Sequence, residues 1–499
     1  MNIRKLLTRL VSLALIAVFL PTVAMADTWY LEDGSITVSA TKSGQNVSQG
    51  GVTKEDSAPV IRNRDSSTST TNNVTIKADT GATANVTLED TNIDTTGGAG
   101  PNGAGDAAVR TEGGGNVNLN VELDNTLQSG NLHAGVEKGN GGNLTIGSES
   151  GSGQLVATGG SSGAGIGGGE NTGAENITIT GGDIFATGNH GAAGIGGGWR
   201  GNGTDITITG GNITAVGKTE SSRDVGGAGI GGGGNQTSDP GIGSNIKITG
   251  GSVTAVGGNY AAGIGGSYLS KGENITIIDA EVIAKGGANG AGIGGGDSGD
   301  GSNISISGNA NVKAAGGASD GEIGDGAAIG AGGIYRNGQP VRGEERDVNT
   351  SGLTGSIERL PAGTTFDIPQ PKPRSSFPKP APDPVAVEEE PQPVKAALYR
   401  VIDDAGKALP VETKQEDGVL LLTAQADIAI LEGAISGLQT LQSRGIDTIT
   451  FTNGTISVSF SLAEVIAKGA SSDVYRLTLS GGEANFTLAD ADITALLGK

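Results

Sequence analysis

The sequence predicts an all-β protein built on a parallel β-helix: a three-sided solenoid with a basic coil of 29 residues, followed by a Pro-rich linker and a small α+β C-terminal domain. Three observations predict it. The phrase Gly163-Ala164-Gly165-Ile166-Gly167-Gly168-Gly169 returns in near-copies, with its isoleucine at Ile166, Ile195, Ile230, Ile264, Ile293 and Ile329. Between copies one segment begins at Asn176, Asp205, Asn245, Asn274 and Asn303, and another places alanine at Ala157, Ala186, Ala215, Ala255, Ala284 and Ala314. Where no insertion intervenes, the steps from Ala to Ile, Ile to Asn and Asn to Ala are 9, 10 and 10 residues, which together make the 29-residue coil. Three short strands joined by Gly turns cannot bury their own apolar side, so the coils must stack.

Alternation with period 2 assigns the faces. Ile177 and Ile179 point inward from the Asn strand, with Thr178 and Thr180 outward. On the Ala strand Ile184 and Ala186 point inward, and Thr254 on a later copy points out. On the third side Ala164 and Ile166 face in, and Gly165 and Gly167 are expected to leave a flat outer surface of bare backbone.

Along the chain, residues 1–26 carry Arg4, Lys5 and Arg9, an apolar run from Leu10 to Leu20, and Ala24-Met25-Ala26, the pattern of a secretory signal peptide. The solenoid with its N-terminal cap is assigned to 27–345. Trp29-Tyr30-Leu31 and Ile36-Thr37-Val38 read as a strand pair closing its end. Looser coils follow, with Asn73-Val74, Asn116-Val117 and Asn143-Leu144 in the Asn slot and Val109 and Val136 in the Ile slot. Nine or so coils at the ~4.8 Å strand spacing give a rod on the order of 40 Å. Residues 346–395 form the linker, since 361–393 hold ten of the sixteen prolines. In 396–499 strands are predicted at 398–401, 419–423, 448–451, 456–460 and 474–479, with helices over Ile428–Gln442 and Leu488–Leu497.

Composition narrows the function classes. With 92 glycines in 499 residues and 3% aromatics the chain cannot form one ordinary globule. Removing the signal takes the formal charge from −21 to −24, which disfavours nucleic acid and anionic lipid as partners. No further apolar run is long enough for membrane insertion, so a secreted or non-covalently surface-associated protein is expected. Cysteine is absent from the sequence, so stability must come from the ladder.

The GAGIGGG phrase followed by NITITGG, as at 163–182 and 191–211, resembles repeats of secreted, Gly-rich β-helix proteins of anaerobic, largely gut-dwelling Firmicutes. Some of these are similar to a family of carbohydrate-binding right-handed β-helices that bind pectin and cellulose. The resemblance covers residues 140–335. It implies the fold and a plant or host polysaccharide as ligand, and transfers no individual binding residue. Right-handedness is assumed from the crossover rule for parallel strands.

Several motifs are read as structural. Gly163-x-Gly165-x-x-Gly168 matches a dinucleotide fingerprint as a string, but a strand follows it where a helix is required. Gly295 to Asp300 is similar to one turn of a calcium-binding repeat but occurs once, so it reads as a surface turn, and no cofactor is assigned beyond a possible role for calcium. His133 and His190 lack a triad or metal constellation and read as turn or surface residues. Outward Thr pairs fit an ice-binding lattice in two coils, but Lys247 and Ile278 spoil it.

Insertions after Ala215, Ile230 and Ala314 mark loops, which are frequent binding sites. The candidate ligand-binding residues are Trp199 and Tyr268, Asn235, Gln236 and Asp239, and Arg223 and Asp224. Trp199 and Tyr268 fall four residues after an Ile-slot residue, with Gly234 between them. They would stand two coils apart, about 9 to 10 Å, as two sugar platforms across an open gap; alternatively each ring covers a Gly-rich corner. The function expected is a carbohydrate-binding or adhesive β-helix rather than an enzyme. The alternatives are a calcium-dependent polysaccharide lyase using Arg223, Asp224, Glu220 and Asp239, and a surface spacer presenting the C-terminal domain, whose partner is open.

Overall fold

The computed structural model describes residues 27–97, 105–218, 225–235, 241–373 and 399–498, apart from 405–408, 410, 417, 425, 444–445, 470–472 and 490. Residues 1–26, read as a signal peptide, and residues 374–398, from the linker into the start of the C-terminal domain, lie outside them. The chain divides into two compact units, 1–381 and 382–499.

The first unit is a parallel β-solenoid with three sheets of 10, 9 and 12 strands among the described residues, here called the Asn, Ala and Ile sheets. Register follows the repeat. Ile177 pairs with Ile206, Ala186 with Ala215 and Ile166 with Ile195. The inward Ile, Val and Ala side chains of successive coils form one continuous core, nearly all at 0–3% exposure. Burying each Ile contributes roughly 1.5 to 3 kcal/mol relative to an exposed side chain.

The third side is not flat bare backbone. Gly163 to Gly169 are buried. In each coil the alanine two residues before the isoleucine donates its N–H to the carbonyl two residues after it: Ala164 to Gly168 at 3.0 Å, Ala193 to Gly197 at 2.9 Å, Ala262 to Gly266 at 2.9 Å. The phrase therefore closes on itself, leaving a two-residue strand with the isoleucine at its apex. A Cβ on Gly165 would lie 2.4 Å from the Thr187 nitrogen and 2.7 Å from the Ala186 carbonyl carbon. Close approach to the Ala strand of the next coil, not an open surface, requires glycine there.

The cap also differs from the expected strand pair. Thr28–Tyr30 belongs to the Asn sheet and Ile36–Thr41 to the Ile sheet, so they are two sides of the first coil. Closure comes from Gly44–Gln49 and Val52–Glu55, which extend the Ile sheet antiparallel. Asp56, 0% exposed, accepts from Trp29 Nε1 at 2.8 Å and from the Ala58 amide at 3.1 Å. Val74 pairs with Val109 in the Ile sheet, so the Asn73 segment occupies the Ile slot rather than the Asn slot.

The solenoid also runs past residue 345. Ser356–Leu360 is the last Ala-sheet strand, paired with Asn311–Ala315. The chain then doubles back as a strap. Gly363 donates to the Gly316 carbonyl at 2.9 Å, and five strands earlier the Lys372 amide donates to Gln154 Oε1 at 2.8 Å while its ammonium meets Asp183 at 2.6 Å. Proline at 369, 371 and 373 suits this extended path. Thr214 and Thr254, on the outer row of this sheet, are only 6 and 5% exposed, so Thr254 is not the open outward position expected.

Asp183 is pushed up by partial burial, but hydrogen bonds from Lys372 and Asn212 outweigh this and hold its carboxyl below the ordinary 3.8. A depressed acid stabilises above its unfolded pKa and loses that contribution as pH falls through the folded value. Hydrogen exchange at the Lys372 amide, corrected for intrinsic rate, should thus be slow from pH 5 to 7 and accelerate several-fold below about pH 3. Asp183→Asn should accelerate it already at pH 7. Equal protection at pH 2.5 and 7 would show that this ion pair does not pin the strap.

In the second unit, strands at Arg400–Ile402, Val419–Thr423, Thr448–Thr452, Ser457–Ser461 and Val474–Ser480 match the expectation closely. Both predicted helices need correction. Ile428–Ala434 is a strand between Arg400–Ile402 and Val474–Ser480, and only Ile435–Ser443 is helical. Leu488 ends the strand Glu483–Leu488, and a two-residue strand and a single 3-10 turn follow.

Candidate functional site

Residues four positions after the Ile slot do share one corner. Asn171 donates to the Trp199 carbonyl at 2.8 Å, Arg200 to Gly234 at 3.1 Å and Leu269 to Asp297 at 2.7 Å, so the residue just past each corner reaches the corner residue of the next coil. The corner is more crowded than the open pair of sugar platforms expected there. The Arg200 guanidinium lies 3.9 Å from the centroid of the half-buried Trp199 ring and covers one of its faces. No gap opens at Gly234, where a Cβ would lie 2.5 Å from the Gly226 carbonyl oxygen and 2.8 Å from Val225 Cγ1. Asn235 is 1% exposed and accepts from Arg200 Nε at 3.3 Å, so it is a buried support rather than a surface ligand. Gln236, Asp239, Glu220, Arg223 and Asp224 lie outside the described residues.

Tyr268 is half-buried and pairs with Tyr260, their centroids 6.0 Å apart and their planes tilted by 60°. These rings, Val225, Asp297 and the loop bearing Asp320, Glu322 and Ile323 line a cavity of about 250 Å³. Tyr260 Oη donates to Asp320 Oδ2 at 3.3 Å. Partial burial pushes the Asp320 carboxyl up, but the Ile323 and Glu322 amides hold it below the ordinary value. Asp297 belongs to the turn expected at the surface, yet it is 0% exposed. Its oxygens accept from Ser298 at 2.7 Å and Asn289 at 3.2 Å, and burial pushes its carboxyl up. Asp300 of that turn pairs with Arg346 at 2.9 Å.

A second surface includes the outward Thr row that the sequence offered only as a broken ice-binding lattice. Asn176, Asp205, Asn245, Asn274 and Asn303 have φ of 58, 54, 54, 56 and 52°, the left-handed conformation that Asn and Asp tolerate best. This is why the slot holds only these two residue types, and that restriction was the signal in the sequence. Their side chains form a ladder: Asn245 donates to Asp205 at 3.0 Å, Asn274 to Asn245 at 3.0 Å and Asn303 to Asn274 at 3.1 Å. Alongside lie the outward Thr178, Thr207, Lys247 and Thr276. Asn303 apart, they line a groove of about 430 Å³ that crosses five coils, from Asn143 to Thr276, with Asp205 and Lys247 its only charged lining residues among those described.

His133 is not a plain surface residue. Its Nδ1 lies 2.7 Å from Glu137 Oε2, and Arg110 donates to Glu137 Oε1 at 2.9 Å. Burial alone would raise Glu137, but these two partners bring it below its ordinary value. His190 sits in its turn at φ 41° with Nδ1 3.0 Å from the Ser161 hydroxyl. No group of three or more His, Cys, Asp or Glu residues able to hold a metal ion occurs among the described residues, and none of their helices is long and apolar enough to cross a membrane.

A family model described as a β-helix repeat matches residues 177–199, 206–234 and 246–268. Each match starts on an Asn-sheet strand and ends at the corner occupied by Trp199, Gly234 or Tyr268, so it spans the three sides of a coil. The protein is thus a β-helix repeat protein. No curated protein and no solved structure is significantly similar to the chain.

Proposed function

We propose that this β-helix is a secreted or surface-associated carbohydrate-binding protein that takes an extended, uncharged stretch of polysaccharide along the Asn ladder. One observation carries the reading: the groove crosses five coils and offers amide and hydroxyl groups repeated at the strand spacing, with little charge. Such a rank suits a polymer with many hydroxyls, since each can donate or accept and no group must be desolvated unpaired. The signal-like residues 1–26 and the acidic charge fit an exported partner of uncharged glycan. The reading is of binding without catalysis, and absence of cleavage of polygalacturonan is part of it.

A glycan array with the full mature chain tests this, followed by titration of the best neutral hit. Thr207→Val and Thr276→Val keep shape and strand preference while removing one hydroxyl each. Each should weaken binding by about 2- to 10-fold, the equivalent of one net hydrogen bond, without lowering Tm. Unchanged affinity in the double variant would sink the groove as the binding surface.

A further inference from the structure

The cavity around Tyr260 and Tyr268 differs in chemistry from the groove. Two aromatic rings set at 60° form a V-shaped apolar wall, and Asp297, Asp320 and Glu322 stand around it. No Lys, Arg or His is among the described residues lining it. At about 250 Å³ it lies just below the roughly 300 to 1,000 Å³ of small-molecule sites, which is room for one sugar ring and not for a run of them. Its loop comes from the insertion between Ala314 and Ile329, and the Asn289 side chain holds it by donating to Asp297 while accepting from the Asp320 amide at 3.1 Å.

A neutral sugar would stack on the rings and donate hydroxyls to the carboxylates, but it brings no positive charge to offset theirs. A uronic acid would be repelled by them. A protonated amine gains twice, from the acidic groups and from the ring faces. We propose that this cavity is a subsite for an unacetylated amino-sugar residue, its pyranose against Tyr268 and Tyr260 and its ammonium toward Asp320 and Glu322. The assignment rests on the carbohydrate-binding reading and adds a second, charge-selective site to it.

The test is calorimetric titration of the mature protein with the β-1,4-linked tetramer of glucosamine, its N-acetylated counterpart, cellotetraose and tetralysine. The glucosamine tetramer should bind at least 10-fold more tightly than the other three. Tyr268→Ala, Asp320→Asn and Glu322→Gln should each weaken it several-fold, and Glu281→Gln, which removes an exposed charge elsewhere, should leave it unchanged. The Asn at 320 keeps an oxygen for the Glu322 and Ile323 amides, so loss of binding there is not loss of the loop. Equal binding of the acetylated tetramer, tighter binding of tetralysine, or indifference to Asp320→Asn and Glu322→Gln would overturn the proposal. Thr207→Val and Thr276→Val separate the two sites: failure of the groove reading leaves glucosamine binding dependent on Asp320, and failure of the cavity leaves neutral glycan binding dependent on the threonines.

Discussion

Gly231→Ala is expected to be among the most damaging single-methyl additions in the solenoid. Gly231 has φ +135° and an added Cβ would lie 2.1 Å from the Gly265 carbonyl oxygen of the next coil. Backbone strain of roughly 1 to 3 kcal/mol and overpacking of roughly 1 to 3 kcal/mol act together. The chain cannot relieve one without the other, because the same carbonyl accepts the Gly232 amide at 3.0 Å. Gly338→Ala is the control, with φ +79° but nothing within 4 Å of the new carbon, so only strain remains. Urea denaturation followed by circular dichroism should show a clearly larger loss for Gly231→Ala. Equal losses would mean that the coils can separate locally at little cost.

Ala255→Leu should be the next most harmful. Ala255 is 0% exposed and lies in register between Ala215 and Ala284, so three extra carbons must displace a neighbour on either side. Overpacking of this kind costs roughly 1 to 3 kcal/mol or more. Lys247→Leu adds apolar bulk at an exposed position of the Asn sheet and should melt within a degree or two of the wild type. If the two variants melt alike, the inward assignment of the Ala column is wrong.

The solenoid was legible because each coil repeats the same physical problem. A side chain that must stack on its own copy is held to one size, so Ile, Ala and Asn recur at fixed spacing. The second unit lacks that redundancy. Ala429, Ile430 and Leu431 are all buried in a central strand, and a short continuous apolar run fits a buried strand and one face of a helix equally well. The glycines misled for a related reason: missing side chains look the same whether they expose backbone or let two backbones touch, and only the distance from Gly165 to Ala186 and Thr187 separates the cases. The site was half legible. Tyr268 was found from its corner register, but its partner Tyr260 sits in the preceding turn at φ 67°, where no repeat marks it. Likewise Arg200 over Trp199 follows from two neighbours turning together, which spacing alone does not encode.

The whole-coil register has a consequence at the level of the gene. Ile166, Ile195, Ile230, Ile264, Ile293 and Ile329 pair in one unbroken column, although the loops between some of them differ in length. Unequal exchange between two near-identical repeats would therefore add or delete one complete coil while every surviving side chain kept its neighbour type and both ends kept their closures. The number of coils is then a heritable variable that can change in a single recombination event, and the span of the groove would change with it in the same step.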